Sequence, residues 1–260
     1  MGSFLGCLAM GICLFWLPAC SNDSAQIPRI DTRVPTLSYK GYEIPRFPTA
    51  RGQLNYARSW FATKQEKRAA LTIIPTLFPQ DRIQCGNAAL TLAYMNLGDD
   101  YRFATPADFL KALSDYKKVV TAYGDQPVIQ AKAHWYIGWI LCECLDRPAQ
   151  GMVHFNIIVT RFPRIFMEIS PPVPWVSLVY PTPTARTKRA TPSPKKYWAG
   201  IALLEMICHA PDPDQAIQAF DTLFDKYPDS VETGFALKLM LKTPRLSSHA
   251  LARKTGVPWS

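Results

Sequence analysis

The sequence predicts an all-α fold: an α-solenoid of antiparallel helix pairs interrupted by a proline-rich basic insertion. Three observations predict it. A ten-residue phrase is written three times, as "DYKKVVTAYG" (115–124), "HFNIIVTRFP" (154–163) and "AFDTLFDKYP" (219–228). Its apolar residues are Tyr116, Val119, Val120 and Tyr123 in the first copy, Phe155, Ile158, Val159 and Phe162 in the second, and Phe220, Leu223, Phe224 and Tyr227 in the third. The i, i+3, i+4, i+7 spacing is one face of an amphipathic helix. Second, a small residue (Ala112, Gly151, Ala216) precedes each first aromatic by four, and a breaker (Gly124, Pro163, Pro228) follows each last one. Third, each phrase is preceded by another helix-like run: "CGNAALTLAYMNLG", "AKAHWYIGWILCE" and "KYWAGIALLEMIC". The unit is helix, short turn, helix.

The chain opens with nineteen residues that carry no charge, and an apolar stretch over 4–19 ends at "LPAC". Sixteen residues are short for a spanning helix, which needs about 20, and suit the core of a signal peptide. Leu17, Pro18, Ala19 and Cys20 resemble a bacterial lipobox, in which the cysteine carries the lipid. Two features depart from that pattern: no Lys or Arg precedes the apolar run, and Pro18 is an uncommon choice there. A plain signal peptide or short anchor is the alternative. "MGSFLG" also begins like a myristoylation site but lacks the Ser or Thr at position 6. By the same resemblance, Ser21 after Cys20 favours the outer membrane. The expected organisation is a signal peptide over 1–19, a membrane tether over 20–57, a repeat domain over 58–242 interrupted by 164–196, and a basic tail over 243–260.

Helix starts are also written out. Thr105-Pro106-Ala107-Asp108 reads as a capping box with proline at the first helical position. Asp212-Pro213 and Pro148 open the other two phrases, and a fainter copy stands upstream at Leu71, Ile74, Phe78 and Pro79. "DSVETGFALKLML", with Asp229 and Glu232 placed for a cap, reads as a closing helix.

A two-helix unit with glycine in the first helix (Gly138, Gly200), and small-xxx-aromatic-xx-aliphatic-xxx-aromatic-Pro in the second, resembles the tetratricopeptide (TPR) family. The resemblance covers roughly 58–242. The tryptophan that the family places four residues before the glycine is His134 in one unit and Lys196 in the other. The spacings of 39 and 65 residues between copies exceed the family's usual repeat of about 34. The resemblance implies a concave face lined by the first helices. Trp135, Tyr136, Trp139 and Glu143 would reach that face in one unit, and Tyr197, Trp198 and Glu205 in the next. About half of these are expected to be inter-repeat core instead.

The net charge is +9, of which the insertion 164–196 contributes +5 and residues 238–260 another +5, so the rest sums to −1. Seven prolines in 33 residues keep the insertion from being helical. Both basic segments read as flexible. Arg186, Lys188, Arg189, Lys195 and Lys196 are the candidate contact for an anionic surface, whether phospholipid, lipopolysaccharide or an acidic partner; a solvated loop and tail is the bland alternative. Nucleic acid is not an expected partner of an exported chain.

The sequence holds no phosphate-binding glycine loop, no G-x-S-x-G and no H-E-x-x-H. His134, His154, His209 and His249 are scattered, and the cysteines lack zinc-site spacing. No metal, no cofactor and no catalytic residue is expected. Cys85, Cys142, Cys144 and Cys208 read as small apolar residues of helix packing, with a disulfide, open to an exported chain, as the alternative. Glu143 and Glu205 recur at one repeat position, which repetition explains without chemistry. The reading is a non-enzymatic scaffold that binds envelope proteins and is held at the periplasmic side of the outer membrane by a lipid (palmitate) on Cys20. It resembles TPR lipoproteins of outer-membrane assembly and pilotin-type lipoproteins of secretion and pilus systems. The alternatives are an envelope-remodelling helper that binds peptidoglycan or a cell-wall enzyme, and a thiol- or metal-dependent enzyme or carrier.

Overall fold

The structure, a computed structural model, describes residues 35–59, 62–98, 101–166 and 196–255. Cys20, Arg186, Lys188, Arg189 and Lys195 lie outside the described residues, as do the signal segment and most of the insertion. The chain divides into two compact units, and the described residues 35–88 belong to the first and 89–255 to the second.

In the first unit, part of the segment read as a tether is folded. Strands β1 (Thr36–Tyr39) and β2 (Tyr42–Pro45) pair antiparallel, Leu37 opposite Ile44. Lys40 and Gly41 form the turn at φ of 51° and 81°; positive φ at both central residues matches the twist of the flanking strands. Helix α1 (Ala50–Arg58) starts on the Thr49 side chain. Its Gln53, fully buried, accepts from the Phe47 N–H and donates to the Pro45 carbonyl, each at 3.1 Å, so one amide ties the hairpin to the helix. Helix α2 (Lys64–Leu77) opens on a Thr63–Glu66 capping box and buries Leu71 and Ile74 of the faint phrase. Helix α3 (Arg82–Tyr94) runs across the division between the units.

The second unit is built of consecutive packed helices: α4 (Pro106–Ala122), α5 (Pro127–Trp139), α6 (Pro148–Arg161), α7 (Trp198–His209), α8 (Pro213–Lys226), α9 (Val231–Lys242) and α10 (Ser247–Thr255). Each of α4 to α8 packs on the next in chain order. The Thr105–Asp108 capping box forms, and proline sits at the start of α4, α5, α6 and α8, where its missing N–H costs nothing. The cap of α9 is Ser230, which accepts from the Thr233 N–H, rather than Asp229; Glu232 is buried instead.

The three phrases lie on α4, α6 and α8. In every copy the small residue, the first aromatic and the aliphatic at i+3 are buried, with Tyr116, Phe155 and Phe220 fully so. The tightest crossing is α5 on α6. A Cβ at Gly138 would stand 2.6 Å from the Phe155 ring, and one at Gly151 would stand 2.7 Å from the Gly138 carbonyl oxygen and collide with Cys142 Sγ. Gly200 is looser, with nothing nearer than 3.7 Å to a Cβ.

Two sequence expectations need correction. The segment after 243 is not a free basic tail as far as it is described: α10 reaches Thr255 and buries Ala250. Its His249 and Arg253 meet Asp221 on α8 at 2.8 and 3.1 Å, Arg253 also pairs with Asp225, and its guanidinium lies over Phe224. One helical turn separates His249 from Arg253 and Asp221 from Asp225, so the two rows match. The ends of the insertion are also ordered: Phe166 bridges Tyr197, the Trp198 N–H donates to the Ile165 carbonyl at 3.1 Å, and the Tyr227 hydroxyl donates to the Pro163 carbonyl at 2.8 Å.

Candidate functional site: the first-helix face and the Glu–His–Glu bridge

Helix α5 is apolar nearly all round. Ile129, Ala131, Ala133, Trp135, Ile137 and Trp139 are buried together with Gln130 and His134, as a helix packed on several sides must be. Consequently Trp135, Trp139 and Trp198, expected on an open face, are core: 7, 4 and 5 % exposed. Glu205 is buried as well. Tyr136, Glu143 and Tyr197 are half-buried. Of the seven expected first-helix residues, these three keep part of their surface exposed.

The aromatics form a ladder across the repeats. Tyr136 stacks on Tyr116 at 4.8 Å and touches Tyr94 at 6.3 Å; Trp135 lies 6.3 Å from both Trp139 and Trp198; Tyr101 meets the edge of Trp139 at 5.3 Å. Tyr197 contacts Phe166 at 4.6 Å and Tyr227 at 5.1 Å. The indole N–H groups of Trp135 and Trp198 and the Tyr116 hydroxyl are buried without a protein partner. Such donors are commonly met by ordered water.

Beyond Trp139 the helix opens into one π turn, Ile140–Cys144, closed by Leu145 N–H to the Ile140 carbonyl at 3.0 Å. The wider turn carries Glu143 to α7. There His209 Nε2 stands 2.9 Å from Glu143 Oε1 and 3.5 Å from Glu205 Oε2. The contacts are bent, ion pairs more than straight hydrogen bonds. Burial alone would lower the imidazole's pKa, but the Glu143 and Glu205 carboxylates beside it outweigh that and raise it to about 9. The recurring carboxylates therefore converge on one imidazolium that joins successive repeats. The sequence signal available for this was the i, i+4 spacing of Glu205 and His209.

The thiols beside this bridge are kept protonated. Burial, with the charge of Glu143 and its neighbours, pushes Cys142 and Cys144 up to about 12, and burial pushes Cys208 up further. A thiol is a weak nucleophile in that state. Lys196, counted among the surface cations, is half-buried. Burial lowers its pKa and the buried Glu232 carboxylate partly restores it.

Among the described residues no helix is long and apolar enough to cross a membrane. No curated protein and no solved structure shows significant similarity to the chain. A family model for the tetratricopeptide repeat matches residues 196–230, which hold α7, α8 and the turn between them, and so points to a scaffold that binds proteins.

Proposed function

We propose that this chain is a non-enzymatic, lipid-anchored scaffold of a bacterial envelope, whose helical repeats bind a protein partner during assembly of an outer-membrane, secretion or pilus complex. The observation that carries the protein-binding part is the repeat match over 196–230, seated on one of the packed helix pairs of the second unit. Tetratricopeptide arrays act as surfaces, and their chemistry is contact. Half-buried Tyr136 and Tyr197 offer aromatic anchors of the kind that carries binding energy in protein interfaces, while Glu143 is held by His209. The protonated cysteines speak against a thiol-dependent reaction. The envelope part rests on the apolar leader and the lipobox-like Leu17-Pro18-Ala19-Cys20. The basic residues of the insertion would add contact with anionic lipid or lipopolysaccharide.

Two measurements test the reading separately. Intact mass of the membrane-extracted protein is expected to show a mature chain that starts at an acylated Cys20, and Cys20→Ala is expected to release it from membranes; an extracted chain without acyl mass refutes the anchor. Affinity isolation of the anchored chain from its own cells is expected to recover a β-barrel, secretin or pilus component in fixed ratio. Recovery of a cell-wall enzyme in its place moves the function to envelope remodelling.

A further inference from the structure

His134 on α5 and His154 on α6 face each other with Nδ1 to Nδ1 at 2.9 Å, ring centroids 5.2 Å apart. Two neutral imidazoles make one hydrogen bond in this geometry: the ring protonated at Nδ1 donates, and the other accepts on its bare Nδ1. A single added proton goes to the donor ring's Nε2 and leaves the bond intact. A second proton places two N–H groups nose to nose, and the bond is gone. The charged groups acting on the pair from its neighbours are both cations, Arg161 on α6 and Lys117 on α4. Phe162 closes another side of His134 at 6.5 Å. His134 is buried and His154 half-buried, so protons reach the pair through one edge. The pair lies one turn from the Gly138–Gly151 crossing, where an added Cβ would collide, so separation at the pair strains that close contact.

We propose that the His134–His154 contact is an acid-sensitive joint that holds the α5–α6 repeat closed near neutral pH and opens it when both rings are protonated. The joint stands independently of the envelope reading. Burial, then His154, then Arg161 lower the His134 pKa to about 4, and burial and Lys117 lower that of His154. A histidine of depressed pKa is stabilised closed above its open-state value of about 6.5 and loses that stability as pH falls toward the closed-state value. Both rings have closed-state values below 6.5, so the closing constant falls between pH 7.5 and 5.0 as the pair takes up its two protons. Helix α5 carries Tyr136, so opening also disturbs its stack on Tyr116.

Hydrogen exchange of the full chain at pH 7.5 and 5.0, corrected for intrinsic rates, tests the joint. Protection across 127–161 is expected to fall at least tenfold at pH 5.0, while that of α8 stays within a few-fold. His154→Gln, whose amide still bonds His134 but takes no proton, is expected to retain most of that protection. Equal loss in the wild type and His154→Gln, or no loss in the wild type, overturns the proposal. Imidazole NMR titration of the wild type needs no variant: two histidines that titrate independently near 6.5 overturn it as well.

Discussion

Gly151→Ala perturbs one atom at a known place. The added methyl would stand 2.7 Å from the Gly138 carbonyl oxygen and on top of Cys142 Sγ. The sulfur can rotate away at some cost; the carbonyl belongs to the backbone of α5 and moves only with the helix. Overpacking of this kind costs about 1–3 kcal/mol, while alanine gains up to about 1 kcal/mol over glycine in helix propensity. With the full propensity gain the expected net loss is about 0–2 kcal/mol, and Gly151→Leu is expected to lose more. Gly124→Ala is the control. It follows α4, and its Cβ would meet nothing nearer than a carbonyl at 4.0 Å, so its effect is expected within about 0.5 kcal/mol. Adding Cys142→Ala to Gly151→Ala removes one of the two clashes, and the pair should couple by about 0.5 kcal/mol or more. Urea unfolding followed by far-UV circular dichroism reads these four variants and Cys142→Ala alone, which completes the cycle. Equal losses for Gly151→Ala and Gly124→Ala, together with strict additivity for the double variant, would refute the close crossing.

Other consequences follow from the bridge and the terminal helix. Because His209 has a folded-state pKa of about 9, above its usual 6.5, its contribution to stability is full below pH 6.5 and is lost as pH rises through 9. Unfolding midpoints measured from pH 6 to 9.5 should fall in the wild type and flatten in His209→Gln. His209→Ala leaves Glu143 and Glu205 without their cation and should cost about 3 kcal/mol or more, as breaking a buried pair does. Cys142 should react with a thiol reagent at pH 8 far more slowly in the folded chain than in urea, read by mass spectrometry of labelled peptides. Asp221→Asn should loosen α10 and raise hydrogen exchange over 247–255 while leaving α4 to α6 protected.

The helices were legible in the sequence because their signals are local. The i, i+3, i+4, i+7 phrases, the Thr105–Asp108 box and the prolines at helix starts each act within a few residues, and α4, α6 and α8 stand where they put them. Which side of α5 keeps exposed surface was not legible. A run that is apolar all round gives no face, and the depth of Trp135 and Trp139 is set by α4, α6 and α7 together. The convergence of Glu143 on His209 depends on a π turn and on stacking of residues 66 apart in the chain. The His134–His154 contact likewise joins two helices, and each histidine alone looked like scatter. The hairpin was hidden because Lys40-Gly41 is a weak turn signal between short strands. Helix α10 was hidden because its cations read as a tail until the Asp221 and Asp225 row on α8 came opposite them.

The central claim, that the chain binds a protein through the first helices of its repeats, is tested most directly by site-specific photo-crosslinking of the full anchored chain in its own cells. A benzophenone side chain at Tyr136 or Tyr197 is expected to trap one envelope protein reproducibly, and the same probe at Val153, 58 % exposed on the second helix of its pair, is not. The contradicting result is an adduct at Val153 with none at Tyr136 or Tyr197, which would move the binding surface to the second helices.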